Sequence, residues 1–185
     1  MDRLVRVALT GRMTTTKHPH DSTPSASEPT AHPTSAAVVR AIERRSYAVL
    51  STVSPAGRPH GAGILYCWAD GQLYLTTDRS SRKGQNLAAH PWAGVTIPVR
   101  RLPIGPPSAV HFQARAEVLD RAHPEVLAQV VAGRLKGITS HGELDRPDVC
   151  VVRLTPVERL HTYGLGLSLR KLIADPLNAG GSVDL

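Results

Sequence analysis

The sequence predicts a mainly β (α+β) fold, an antiparallel barrel with helices at its periphery. Three observations carry that expectation. Short runs rich in Val, Ile, Tyr, Thr and Leu recur between Gly and Pro turn signals, most are joined by hairpin-length connections, and only three segments show helical spacing. The scarcity of crossovers weighs against a doubly wound sheet. A chain of 185 residues with 41% hydrophobic content is enough for one packed core and an appendage.

Residues 1–33 are expected to form a disordered N-terminal tail, because "TTTKHPHDSTPSASEPTAHP" almost lacks apolar side chains and cannot repay the entropy of ordering. His18, His20 and His32 within it read as part of a solvated linker rather than a metal tract. Arg6 interrupts the apolar patch of "MDRLVRVALTGRM", which is too short for a signal core or a bilayer span, so a cytoplasmic protein with no membrane partner is expected.

Order begins at "TSAAVVRAIERRS". Thr34 or Ser35 caps a helix whose Val38, Val39 and Ile42 share one face and which ends near Arg45. The strand "YAVLSTV", the turn "SPAG", the strand "RPHGAGILYCW", the turn "ADGQ" and the strand "LYLTT" read as two successive hairpins. A helix over residues 81–89 is stopped by Pro91, and "WAGVTIPV" resumes strand character. After the Pro-rich loop 98–108 come the long strand "AVHFQARAEVLD" and one helix, "HPEVLAQVVAGRLKG", with Pro124 in its first turn and Gly137 after its last. Two further strands, "DVCVVRLTP" and "VERLHTYG", bring the expectation to six or seven strands and three helices.

Cys67 and Cys150 lie far apart without a CxxC pair, so both read as buried core thiols and neither a disulfide framework nor a zinc ribbon is expected. The formal charge is +7, and residues 1–35 hold four Lys/Arg against three Asp/Glu, so +6 of it belongs to the rest of the chain. That excess comes without stacking aromatics, zinc-finger spacing or a basic helix, so no nucleic-acid partner is expected and a small anionic ligand is. There is no GxxxxGK[ST], no GxGxxG between strand and helix, no GxSxG and no HExxH. The isolated His60, His111, His123, His141 and His161 do not suggest a metal site.

What remains is "TTDRSSRKGQNLAAHP", residues 76–91, which ends a strand and opens a helix. A helix start offers unpaired N–H groups and a positive dipole end. Ser80 or Ser81 brings a hydroxyl, Arg82 a planar donor fork, Lys83 a point charge, and Thr76 and Thr77 further hydroxyls: the makings of a phosphate clamp. A plain helix cap uses the same serine, and both readings stay open at this point.

The order strand, "SPAGRPH", strand, "DGQLYLTT", "SRKGQNLAAHP", strand and "FQARAEVL" resembles the flavin-binding split β-barrel of the pyridoxamine 5'-phosphate oxidase-like proteins over roughly residues 36–163. The resemblance implies an antiparallel split barrel over residues 34–163 followed by a C-terminal extension, 164–185. It implies a homodimer holding FMN or the deazaflavin coenzyme F420 in a groove between subunits. Thr76, Thr77, Ser81, Arg82 and Lys83 match the family's phosphate-binding segment, and the strand from His60 to Ile64 would lie along the cofactor ring. For His60 two roles stay open, a donor to the substrate or a turn-flanking surface residue.

The departures are informative. The family's oxidases place an arginine and then a lysine in the strand after the "GRP" turn, where this chain has Ala62 and Cys67, and the C-terminal Arg/His substrate motif is missing. Vitamin B6 oxidation is therefore not expected. "SRKGQNL" and "HTYGLGLSLRKLIADP" are similar instead to a branch of flavin and deazaflavin oxidoreductases. The expected function is hydride transfer between coenzyme F420 or FMN and a small organic substrate, with the basic domain favouring F420. The alternative is a non-catalytic flavin- or haem-binding module.

Overall fold

In the computed structural model, residues 33–99 and 107–185 are described. The expected N-terminal tail and most of the Pro-rich loop lie outside them. Helix α1 (Ser35–Glu43) is capped by Thr34, whose hydroxyl accepts from the Ala37 N–H, and it buries Val38 and Ile42. Strands β1 (Tyr47–Val53) and β2 (Pro59–Leu65) pair antiparallel from Tyr47 opposite Leu65 to Val53 opposite Pro59. A second hairpin, β3 (Cys67–Ala69) with β4 (Gln72–Asp78), turns on Asp70 and Gly71 at φ 51° and 77°. Two successive left-handed residues match the twist of the flanking strands, and Asp-Gly reaches that geometry readily.

Helix α2 (Arg82–Ala89) follows β4 directly, then β5 (Trp92–Pro98), β6 (Ala109–Asp120), α3 (Pro124–Val131), α4 (Lys136–Thr139) and β7 (Val149–Tyr163). Helix α5 (Leu169–Ala174) and β8 (Gly180–Asp184) occupy the C-terminal extension. The strand order is β2-β1-β5-β6-β7-β4-β3, every pairing is antiparallel, and β8 adds to the far half of β7. The alternating inward residues, among them Leu50, Leu75, Val95, Ile97, Phe112 and Leu154, form the barrel core.

The described residues hold eight strands and five α-helices where six or seven strands and three helices were expected, and three segment readings need correction. "RPHGAGILYCW" is not one strand: it breaks at Tyr66, leaving β2 at one edge of the sheet and β3 at the other. A single residue thus carries the chain between edges, which curls the sheet toward closure. Tyr66 is anchored there by burial, by a hydroxyl that donates to the Ile42 carbonyl at 2.7 Å, and by an N–H that donates to the Ser46 carbonyl. The two strands expected after residue 148 are one fifteen-residue β7. It bends at a bulge where Glu158 has φ 65° and the register slips opposite His111 and Gln113, so its first half pairs with β4 and its second with β8. The single helix expected over 123–137 is two, because Gly133 at φ 72° ends α3, and Gly137 sits within α4. A Cβ at Gly137 would stand 3.1 Å from the Cys67 sulfur, so the small residue allows α4 to lie against β3. Among the described residues no helix is long and apolar enough to cross a membrane.

Candidate functional site

Strand β4 delivers Thr76, Thr77 and Asp78 to the start of α2. Ser81 caps that helix: its hydroxyl accepts from the Gly84 N–H at 3.1 Å and shares a 2.9 Å hydrogen bond with the Thr77 hydroxyl. Gly84 is what lets the helix press on the strand end. A Cβ there would lie 2.5 Å from the Asp78 carbonyl oxygen and 2.9 Å from that of Arg79. Capping is therefore realised, and it aligns the free N–H groups of the first turn beside two hydroxyls and Lys83.

A concavity of about 220 Å³ opens at this junction. It gathers Thr76, Thr77, Ser81 and Lys83, four of the six residues singled out in the sequence. Arg82 is exposed on α2 and does not line it. His60 does not line it either. It sits on β2 opposite Thr52, whose hydroxyl donates to the His60 carbonyl at 3.4 Å and accepts from the buried Asn86 amide of α2 at 2.9 Å. Thr52 thus joins His60's strand to α2, and the His60 Nδ1 is buried without a hydrogen-bond partner among the described residues. Thr76 spends its hydroxyl in part on the Ile138 carbonyl at 3.4 Å.

Two charged residues that sequence reasoning missed, Glu143 and Arg146, enter with Asp78, which lies within the motif but was given no part there. Arg146 comes with β7, since the pairing of Asp78 with Val149 brings the turn before β7 to the end of β4. Its guanidinium lies 3.1 Å from Asp78 Oδ1 without hydrogen-bond geometry, which leaves that oxygen lacking a donor among the described residues. The N–H groups of Glu143 itself and of His141 hold the Glu143 carboxyl below its usual range. Two cations and two carboxylates therefore share the concavity, so it is close to neutral rather than the basic site the motif alone suggested.

A larger concavity of about 430 Å³ lies on the outer face of the sheet, where His111 on β6 stacks on His161 of β7 with ring centroids 5.5 Å apart. Burial, and then the neighbouring His161, lower the His111 pKa from 6.5. A depressed imidazole pKa means that the unfolded chain binds more protons, so stability is present above about pH 6.5 and is lost as the pH falls through the lowered folded value. The urea midpoint is expected to fall between pH 7.5 and 5.5, and to fall less in His111→Gln. Cys150 is buried with its thiol donating to the Thr77 carbonyl, whereas Cys67 is only half-buried, against expectation. Both are free, burial pushes both thiols up, and no metal-binding cluster occurs among the described residues.

The family model described as pyridoxamine 5'-phosphate oxidase matches residues 34–163. The chain belongs to that family. This oxidase-family chain shares its fold with HutZ, the haem storage protein from Vibrio cholerae, at 18% identity over 68% of this chain and 92% of the other, with a TM-score of 0.58. It is similar to a haem-binding protein from Mycobacterium smegmatis (19% identity, 83% of this chain, TM-score 0.62), of whose length it spans 59%. An FMN-binding, pyridoxamine 5'-phosphate oxidase-related protein from Nostoc punctiforme matches at 17% identity over 82% and 88% of the two chains, with a TM-score of 0.55. At these identities the likeness speaks for the fold, and the oxidase-family chain is a split barrel on that ground. No curated protein matches it.

Proposed function

We propose that the chain binds a flavin-type cofactor by its phosphate at the start of α2 and transfers a hydride between that cofactor and a small organic substrate. The observation that carries this reading is the gathering of Thr77, Ser81, Lys83 and Arg146 around one concavity at a helix N-terminus seated by Gly84. Those residues fit a phosphate. Lys83 would oppose its charge, the first-turn N–H groups and whichever of the Thr77 and Ser81 hydroxyls accepts in their shared hydrogen bond would donate to its oxygens, and Arg146, 3.1 Å from Asp78, would add a second cation. When bound, the cofactor supplies the hydride chemistry, and the protein supplies position and electrostatics. Arg82 is left to solvent or to a second subunit, and His60 reaches the site through Thr52 and Asn86 rather than by contact.

Between the two cofactors we favour F420. Strand β2, which follows the "GRP" turn, lacks cations and has Ala62 within it, Cys67 lies apart on β3, and the folded part carries +6. Since the clamp itself is near neutral, that attraction acts through the surrounding surface. The chain is proposed to work as a homodimer. Tyr47 and Leu65 at one end of β1, and Val53 and Trp92 toward its other end, stand 43–59% exposed on the outer sheet face, apolar side chains of the kind subunit interfaces bury.

The rival reading, a module that holds flavin or haem without turning it over, is favoured by the names of two of the similar structures. Titration with FMN, F420 and haem, followed by incubation of the reduced flavin-type cofactors with quinones, enones and biliverdin, separates the two. Oxidation of bound cofactor supports the oxidoreductase; tight binding with no turnover of any substrate supports the module. Asp78→Asn is expected to tighten phosphate-bearing cofactors by about two- to fivefold, because it removes a carboxylate that holds Arg146 and repels the anion. Equal affinity in a fluorescence titration would count against the role given to Arg146.

A further inference from the structure

We infer that a second anion site, independent of the clamp, lies at the other end of the barrel against α1. The strand register sets the distance between them. The clamp adjoins the start of β7, where Cys150 pairs with Thr77, whereas the second concavity, about 370 Å³, is reached just past the end of β7 at Leu165. Arg40, Arg44 and Arg45 line it, over a floor of Ala37, Ala41, Val99 and Leu165.

Positions 37, 40, 41 and 44 are spaced to share one helix face, beside the face that buries Val38 and Ile42. Two alanines alternate there with two arginines, and the small side chains leave the room that larger residues would fill. The buried Val99 and Leu165 close the concavity from the barrel side. Arg40 and Arg44, four residues apart, repel one another. No carboxylate pairs with either among the described residues, and none lines the concavity. The negative end of the helix dipole favours cations near the last turn, but it does not require a cavity beneath them.

The volume is that of a small-molecule site. Three guanidiniums over a short apolar floor select a small organic polyanion, a compact molecule with two or more carboxylate or phosphate groups. Guanidinium forks take either group in the same bidentate way, so the two sources are separated by experiment.

The full chain is titrated with citrate and, separately, with inorganic pyrophosphate while backbone amide signals are followed by NMR, in the unmodified protein, in Lys83→Ala and in Arg40→Gln/Arg44→Gln. Saturable shifts are expected at residues 37–45 and at Leu165. They should persist in Lys83→Ala and weaken by at least about tenfold in the double variant. The tighter of the two probes identifies the anionic group preferred. Because Arg40 and Arg44 are both exposed, the double variant should fold, which a thermal melt checks. Absence of saturable shifts in α1 with both probes, or equal affinity in the folded double variant, would overturn the assignment.

Discussion

Replacing Lys83 with alanine is expected to weaken binding of FMN and F420 by roughly ten- to 150-fold, the loss of one charge-assisted contact worth about 1.5–3 kcal/mol. The size of the effect follows from position. Lys83 is half-buried and lines the concavity beside Ser81 and Thr77, where the helix N-terminus adds to its field. Arg82, its neighbour in sequence, is exposed and outside the lining, so Arg82→Ala should cost at most about fivefold, as an exposed charge does. Fluorescence titration of both variants measures the contrast. Equal losses would mean that general surface charge, rather than the built junction, attracts the cofactor.

The second large effect is expected at Gly84. An added Cβ would stand 2.5 Å from a backbone oxygen of Asp78, and a backbone cannot step aside as a flexible side chain can. Helix α2 must then move away from the end of β4. Overpacking of this kind costs about 1–3 kcal/mol. The better helix propensity of alanine returns up to about 1 kcal/mol of that. Gly84→Ala should therefore melt lower, by up to about 12 °C. It should also lose cofactor affinity, because Ser81 and Lys83 ride on the displaced turn. An unchanged melting temperature with unchanged affinity would show that the junction is more compliant than its geometry implies.

Local chemistry made much of this fold legible. Of the two candidate caps at each of two helix starts, Thr34 rather than Ser35 and Ser81 rather than Ser80 cap the helices, Asp70 and Gly71 turn the hairpin, and the alternation in β6 places Val110, Phe112 and Ala114 inside. What stayed hidden depends on partners distant in sequence. The break at Tyr66 exists because β2 and β3 serve opposite edges of a curled sheet, and nothing in "GILYCW" announces two edges. The continuity of β7 past Pro156 depends on successive neighbours, β4 and then β8, which bridge what reads locally as an interruption.

The same distinction runs through the candidate site. Thr76, Thr77, Ser81 and Lys83 are near one another in sequence and meet at one concavity. Arg146 and Glu143 reach it only through the pairing of β4 with β7, which no local pattern encodes. Asp78 was in view within the motif, but its part as a counter-charge appears only when Arg146 lies 3.1 Å away. His60 was in view by its place after a turn, but the link from its carbonyl through Thr52 to Asn86 exists only because α2 packs on β1.

The central claim is that the β4–α2 junction grips a phosphate. Equilibrium titration with FMN and with riboflavin, and with F420 and its phosphate-free deazaflavin counterpart, tests it directly. For at least one of the two cofactors, removing the phosphate should cost at least about tenfold in affinity in the unmodified protein and far less in Lys83→Ala. Equal affinity with and without phosphate in both pairs, or no binding of either phosphate form, would contradict it.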